Sequence, residues 1–224
     1  MSEHMALENL TVLDLTRVLA GPFCTMMLAD MGANVIKIEV PKGGDDTRSY
    51  PPFRAKNLNG ERESVYFANI NRNKKGITLN LKAPEGKEIF KELVKKADIV
   101  VENYRPGVMD KLGLGYDVLK EINPRIIYAA VSGFGCYGPY HLRPGYDILA
   151  QAMGGMMSIT GSKGGEPTRA GSALGDILGG LHVTIGILAA VNARTITGKG
   201  QRVDVSLMDS MIAATENTVL KYIE

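Results

Sequence analysis

The chain has 224 residues, of which 45% are hydrophobic and 22% charged, and its formal net charge is +2. That length supports a substantial core as one large domain or two small ones, and the composition is ordinary for a soluble globular protein. A charge so near neutrality leaves no electrostatic footprint for nucleic acid or an acidic membrane surface, and neither is expected as a partner.

In chain order, Thr11–Thr16 reads as a strand and Phe23–Met31 as a helix opened by Gly21-Pro22. Asn34–Val40, rich in β-branched residues, is a second strand. The polar run from Pro41 to Ser64 reads as a long surface excursion, and loops of that length often carry function. Gly76–Leu81 is a strand, and Pro84 opens a helix reaching Lys96 with Ile89, Phe90, Leu93 and Val94 on one face. Strand Asp98–Glu102, short helix Val108–Leu112, helix Tyr116–Ile122 and strand Arg125–Val131 follow. Strands alternating with helices predict an α/β fold with a Rossmann-like, mostly parallel sheet flanked by helices.

Beyond Ser132 the pattern loosens into a glycine-rich loop, a helix at Tyr146–Met153 and an apolar stretch over residues 177–193. That stretch is 17 residues long and holds His182 and Asn192. A spanning helix needs about 20 apolar residues, so a buried core helix, with His182 as a core histidine, is expected. Gln201–Leu207 is a last strand and Met208–Ile223 one amphipathic helix. Cys24 and Cys136 are far apart and in no CxxC pair, which argues against a metal site or a disulfide. No signal peptide is visible at Met1–Leu10, so a cytoplasmic location is the default.

No nucleophile elbow, P-loop, zinc-protease or kinase motif occurs. The turn Thr16–Pro22 lacks the dinucleotide spacing and has proline where a cradling N–H is needed, which disfavours NAD. It still leads from a strand end to a helix start, where α/β sheets take ligands. In Leu174–Gly180, Asp176 sits ahead of the apolar helix. Its commonest job there is to cap free N–H groups; the same position, with glycines on both sides, also suits an ionised nucleophile with room for an acyl group.

Six stretches in order carry a resemblance: Val12–Glu39, Asn71–Glu88, Ala97–Gly135, Gly138–Gly155, Ala173–Val191 and Thr197–Met211. Together they resemble the class III coenzyme A-transferases, the group of formyl-CoA transferase, carnitine CoA-transferase and the bile-acid-inducible proteins. The resemblance implies that Asp176 attacks an acyl-CoA thioester and that CoA passes to a carboxylic acid through enzyme-bound anhydride or thioester species. No permanent cofactor is implied; coenzyme A is substrate. It also implies that Val18, Leu19 and Ala20, Leu79, Asn80, Leu81 and Lys82, Asn103, Tyr104 and Arg105, and Lys111 contact coenzyme A, with Tyr146 and Asp147 as active-site wall. On their own, Lys82, Arg105 and Lys111 read equally as surface cations.

One position departs from the family pattern: Val40 stands where many members carry a phosphate-binding cation, and Lys42 or Arg48 is the candidate substitute. Members of the family are longer, so residues 1–200 are expected to be the Rossmann-like CoA-binding large domain. Residues 201–224 are then a strand and helix leading toward a small domain and a return segment outside this sequence. An interlocked homodimer is implied as well. A racemase of the same fold is disfavoured because Tyr146 replaces the expected histidine, and a tyrosine pKa near about 10 is too high for proton abstraction. A non-catalytic CoA-binding module is the remaining alternative.

Overall fold

The computed structural model describes residues 4–54 and 62–223. Strand β1 (Thr11–Asp14) leads to helix α1 (Ala20–Asp30) and strand β2 (Asn34–Glu39). The described part of the polar run that follows is structured. It contains a 3-10 turn at Asp46–Ser49 and a small antiparallel pair, β3 (Phe53–Arg54) with β4 (Glu63–Ser64). Residues 55–61 of the expected excursion lie outside the described residues. Helix α2 (Val65–Ile70), β5 (Lys75–Thr78), α3 (Pro84–Val94), β6 (Ile99–Glu102), α4 (Val108–Lys111) and α5 (Tyr116–Ile122) come next. The chain continues with β7 (Ile127–Ser132), α6 (Asp147–Met153), α7 (Leu174–Thr197), β8 (Arg202–Ser206), α8 (Leu207–Ala214) and α9 (Thr218–Ile223).

Six strands form one parallel sheet in the order β5-β2-β1-β6-β7-β8. The central strands are apolar on both faces, as a sheet covered by helices on both sides requires. Val12, Val35, Ile99, Val101, Ile127 and Val131 pack with α1 and α7; Leu13, Ile38, Val100, Tyr128 and Ala130 pack with α3, α4 and α5. The expected α/β class and Rossmann-like sheet are therefore present. The division drawn at residue 200 falls between α7 and β8, and β8 pairs with β7 in the same sheet.

Three local expectations are corrected. Ile89 is 51% exposed, because the buried line of α3 runs through Gly86, Phe90 and Val94, one turn apart. His182 is exposed on α7 and is not a core histidine; Gly179, Val183, Ile187 and Ala190 carry the buried line. The terminal helix breaks after Ala214, where Glu216 turns to φ 57° and the chain restarts at Thr218.

By length and composition α7 is apolar enough to cross a membrane. In the fold one of its faces rests on α1 and the sheet. Two glycines permit that approach. A Cβ on Gly180 would stand 2.7 Å from the Ala20 carbonyl oxygen, and one on Gly179 would stand 2.4 Å from Leu207 Cδ2. Backbone cannot yield as a side-chain tip can. Gly180→Ala is therefore expected to destabilise the fold by about 1–3 kcal/mol, read as a lower thermal midpoint. An unchanged midpoint would mean that the two helices can part freely.

Candidate active site

The strand order reverses between β1 and β6: from β1 the chain builds outward to β2 and β5, then returns to lay β6, β7 and β8 on the other side. Loops leaving β1 and β6 must diverge there, and they open a crevice at the carboxyl ends of the strands. A cleft of ≈ 430 Å³ occupies that place. Its walls are Arg17–Ala20 after β1, Asn103–Pro106 after β6, Ser132 and Gly133 at the end of β7, Arg143–Tyr146, and Asp176.

The two diverging loops are tied by one side chain. Asn103 Oδ1 accepts from Arg17 N at 2.9 Å, and Asn103 Nδ2 donates to the Arg17 carbonyl at 2.7 Å. Glu102, buried beneath them, accepts from Tyr104 N at 2.7 Å and from the Tyr128 hydroxyl at 3.1 Å. Burial pushes the Glu102 carboxyl up to about 7, against the pull of those donors. Tyr104 is thereby held where the Arg17 guanidinium lies over its ring, 5.8 Å from the centroid.

Asp176 is not the cap of α7. The helix starts at Leu174, so Asp176 lies inside its first turn, and its side chain accepts no hydrogen bond among the described residues. Asp147 supplies what Asp176 was expected to supply: its Oδ1 accepts from Gly175 N at 2.8 Å. Asp147 Oδ2 also accepts from Gln151 Nε2 at 2.9 Å and from Arg169 Nη2 at 3.0 Å. One carboxylate is thus buried and fully paired, while its neighbour is half-buried and bare. Burial first, then the charge of Asp147, pushes the Asp176 carboxyl up to about 7, against the opposing pull of Arg169. A desolvated carboxylate without donors, at a helix N-terminus and facing a cleft, keeps its lone pairs available for attack.

Of the residues singled out from the sequence, Val18, Leu19, Ala20, Asn103, Tyr104, Arg105, Tyr146 and Asp176 meet in this cleft. Asp147 stands behind it as the support of α7. Leu79 and Leu81 turn inward against the core under α3, while Asn80, Lys82 and Lys111 are exposed away from the cleft. Arg48, a candidate for the cation missing at Val40, is committed elsewhere. It pairs with Glu39 at 2.9 and 2.6 Å and stacks 3.8 Å over Phe67. Lys42 is exposed and borders no part of the cleft.

Two cations of the cleft were missed. Arg17 is held by Asp46 at 3.5 Å, and Arg143 lies 4.2 Å over the Tyr140 ring. The signal for Arg17 was its place directly after the first strand. Arg143 sits in a proline- and glycine-rich loop and had no such signal. Among the described residues no group of three His, Cys, Asp or Glu side chains converges to hold a metal ion.

Comparisons with known proteins place the chain in a family. The model of CoA-transferase family III matches residues 7–224. Succinyl-CoA:mesaconate CoA-transferase of Haloarcula marismortui is 48% identical over 223 residues, covering 97% of this chain and 55% of its own. Human succinyl-CoA:glutarate CoA-transferase is 45% identical over 224 residues, covering 100% of this chain and 50% of its own. A CAIB/BAIF family protein from Brucella suis superposes with a TM-score of 0.94 at 44% identity, over 99% of this chain and 58% of that one. The chain spans about half the length of the curated relatives it matches. With the family model covering nearly every residue and the cleft at the switch point of the sheet, this chain belongs to CoA-transferase family III.

Proposed function

We propose that the protein moves coenzyme A from an acyl-CoA thioester to a carboxylic acid, with Asp176 as the nucleophile. The observation that carries this reading is the bare, half-buried Asp176 carboxylate facing the cleft, beside a paired Asp147. The Asp176 carboxylate adds to the thioester carbonyl, the C–S bond breaks, and the CoA thiolate leaves behind a mixed anhydride. Thiolate attack at the aspartyl carbonyl releases the donor acid and leaves an aspartyl thioester. The acceptor carboxylate displaces the thiolate to form a second anhydride. Thiolate attack on the acceptor carbonyl then releases the new acyl-CoA and restores Asp176.

Arg17, Arg105 and Arg143 line the same cleft and suit the phosphates of coenzyme A or a further carboxylate. Arg105 and Arg143 form no ion pair among the described residues. The named relatives act on mesaconate or glutarate, both dicarboxylic acids. A dicarboxylic acceptor is therefore our reading for this chain too. Residues 1–200, with β8 completing their sheet, would supply the coenzyme A-binding large domain of an interlocked pair of subunits. The racemase alternative gains nothing from the fold, since neither His141 nor His182 lines the cleft.

Incubation with short acyl-CoAs, followed by hydroxylamine or borohydride and peptide mass spectrometry, tests the mechanism. A modified peptide containing Asp176, absent from Asp176→Asn, is the expected result. Exchange of the α-proton of the acyl group with deuterated water, without any adduct, would replace the transferase with an isomerase.

A further inference from the structure

We propose that Lys37 and Asp45 are positioning residues for the coenzyme A cleft, acting by holding Val18 in a left-handed backbone conformation. The inference rests on the cleft being a coenzyme A site. Lys37 lies on β2 and is among the largest fully buried side chains. Removing an ammonium from water is costly, and Val35, two residues earlier on the same face of β2, is a buried apolar residue. The charge therefore calls for an explanation beyond packing.

Its contacts supply one. Lys37 Nζ donates to the Thr16 carbonyl at 2.8 Å and lies 2.9 Å from Asp45 Oδ2. Asp45, equally buried, turns its other oxygen on the loop after β1: Oδ1 accepts from Val18 N at 3.2 Å. The same oxygen accepts from Thr47 N at 3.0 Å and Thr47 Oγ1 at 2.8 Å, so it also shapes the turn that presents Asp46 to Arg17. Val18 has φ 68°, a region that crowds the Cβ of a β-branched residue. The loop cannot prefer this conformation by itself; the buried pair imposes it. A second buried pair, Asp14 with Lys74 at 3.1 Å, fixes the loop two residues earlier, with Asp14 Oδ1 accepting from Thr16 N at 2.9 Å. Lys37 and Asp45 do not line the cleft, whereas Arg17–Ala20 form its wall. Their effect on the ligand passes through Val18.

The experiment titrates the protein with coenzyme A by calorimetry and follows KM and kcat for an acyl-CoA. Asp45→Asn is expected to weaken coenzyme A binding by about tenfold and to raise KM, with kcat at saturation nearly unchanged. Val18→Gly, which tolerates positive φ freely, is expected to restore most of the affinity lost to Asp45→Asn when the two are combined. A role of Asp45 in general stability alone would show no such rescue. Val18→Pro, whose ring forbids positive φ, should reproduce the loss with both buried pairs intact, and it decides the matter if Asp45→Asn does not fold. Wild-type affinity in Asp45→Asn or in Val18→Pro overturns the inference while leaving the coenzyme A site standing. A wild-type protein that binds no coenzyme A overturns both.

Discussion

Asp176→Asn is expected to bind acyl-CoA, form no covalent adduct and turn over at least about 10³-fold more slowly than the wild type. The amide matches the carboxylate in size but has no anionic oxygen to attack the thioester. The same substitution should also make the protein more stable above neutral pH. Folding raises the Asp176 carboxyl to about 7, whereas an unfolded chain ionises it near about 3.9. Between those values the unfolded state gives up the proton first, so stability declines as pH rises and the full penalty is present above about 7. A neutral asparagine escapes that penalty. Thermal midpoints of the two proteins should therefore diverge at pH 8 in favour of the variant and converge below pH 4. Equal midpoints at pH 8 would show that Asp176 titrates like an exposed carboxylate, and the proposed activation by desolvation would fall.

Asp147→Ala is expected to cost about 10²-fold in kcat, because the acceptor that fixes the first turn of α7 is lost and the nucleophile is misplaced. Arg169 and Gln151 would lose their shared partner as well. Asp147→Asn separates position from charge. It keeps an oxygen for Gly175 N but removes the negative charge that, after burial, raises the Asp176 carboxyl. Arg169, released from its ion pair, would then draw Asp176 further down. The acid limb of the kcat/KM profile should start near pH 7 in the wild type and move to lower pH in Asp147→Asn, with a smaller loss of rate than in the alanine variant. An acid limb that stays in place would mean that burial alone sets the ionisation of Asp176.

Much of the fold was legible because parallel strands buried on both faces leave short, nearly continuous apolar runs. Val12–Leu15, Val35–Ile38, Ile99–Val101 and Ile126–Val131 are such runs, and the helices between them show their own period. Helix α2 left little trace, since Val65–Ile70 is short and only Ile70 is fully buried. The start of α7 was misplaced by three residues, which changed the reading of Asp176 from a cap to a member of the first turn. Nothing near Leu174 marks that start locally. The cap comes from Asp147, 28 residues earlier in the chain.

The sequence by itself determined the α/β class and the strand order along the chain, and its family resemblance singled out Asp176, the carboxylate that faces the cleft. Only the tertiary structure decided which neighbours that carboxylate has. Asp147 pairs away from it with Arg169, Arg143 reaches the cleft from a distant loop, and Leu79–Lys82 stays outside. It also decided that Lys37 and Lys74, indistinguishable in sequence from surface lysines, are buried beside Asp45 and Asp14. The physical reason is the range of the forces involved. Hydrophobic periodicity repeats every two to four residues and is written locally. Desolvation and charge pairing depend on which distant segments the fold brings within a few ångströms.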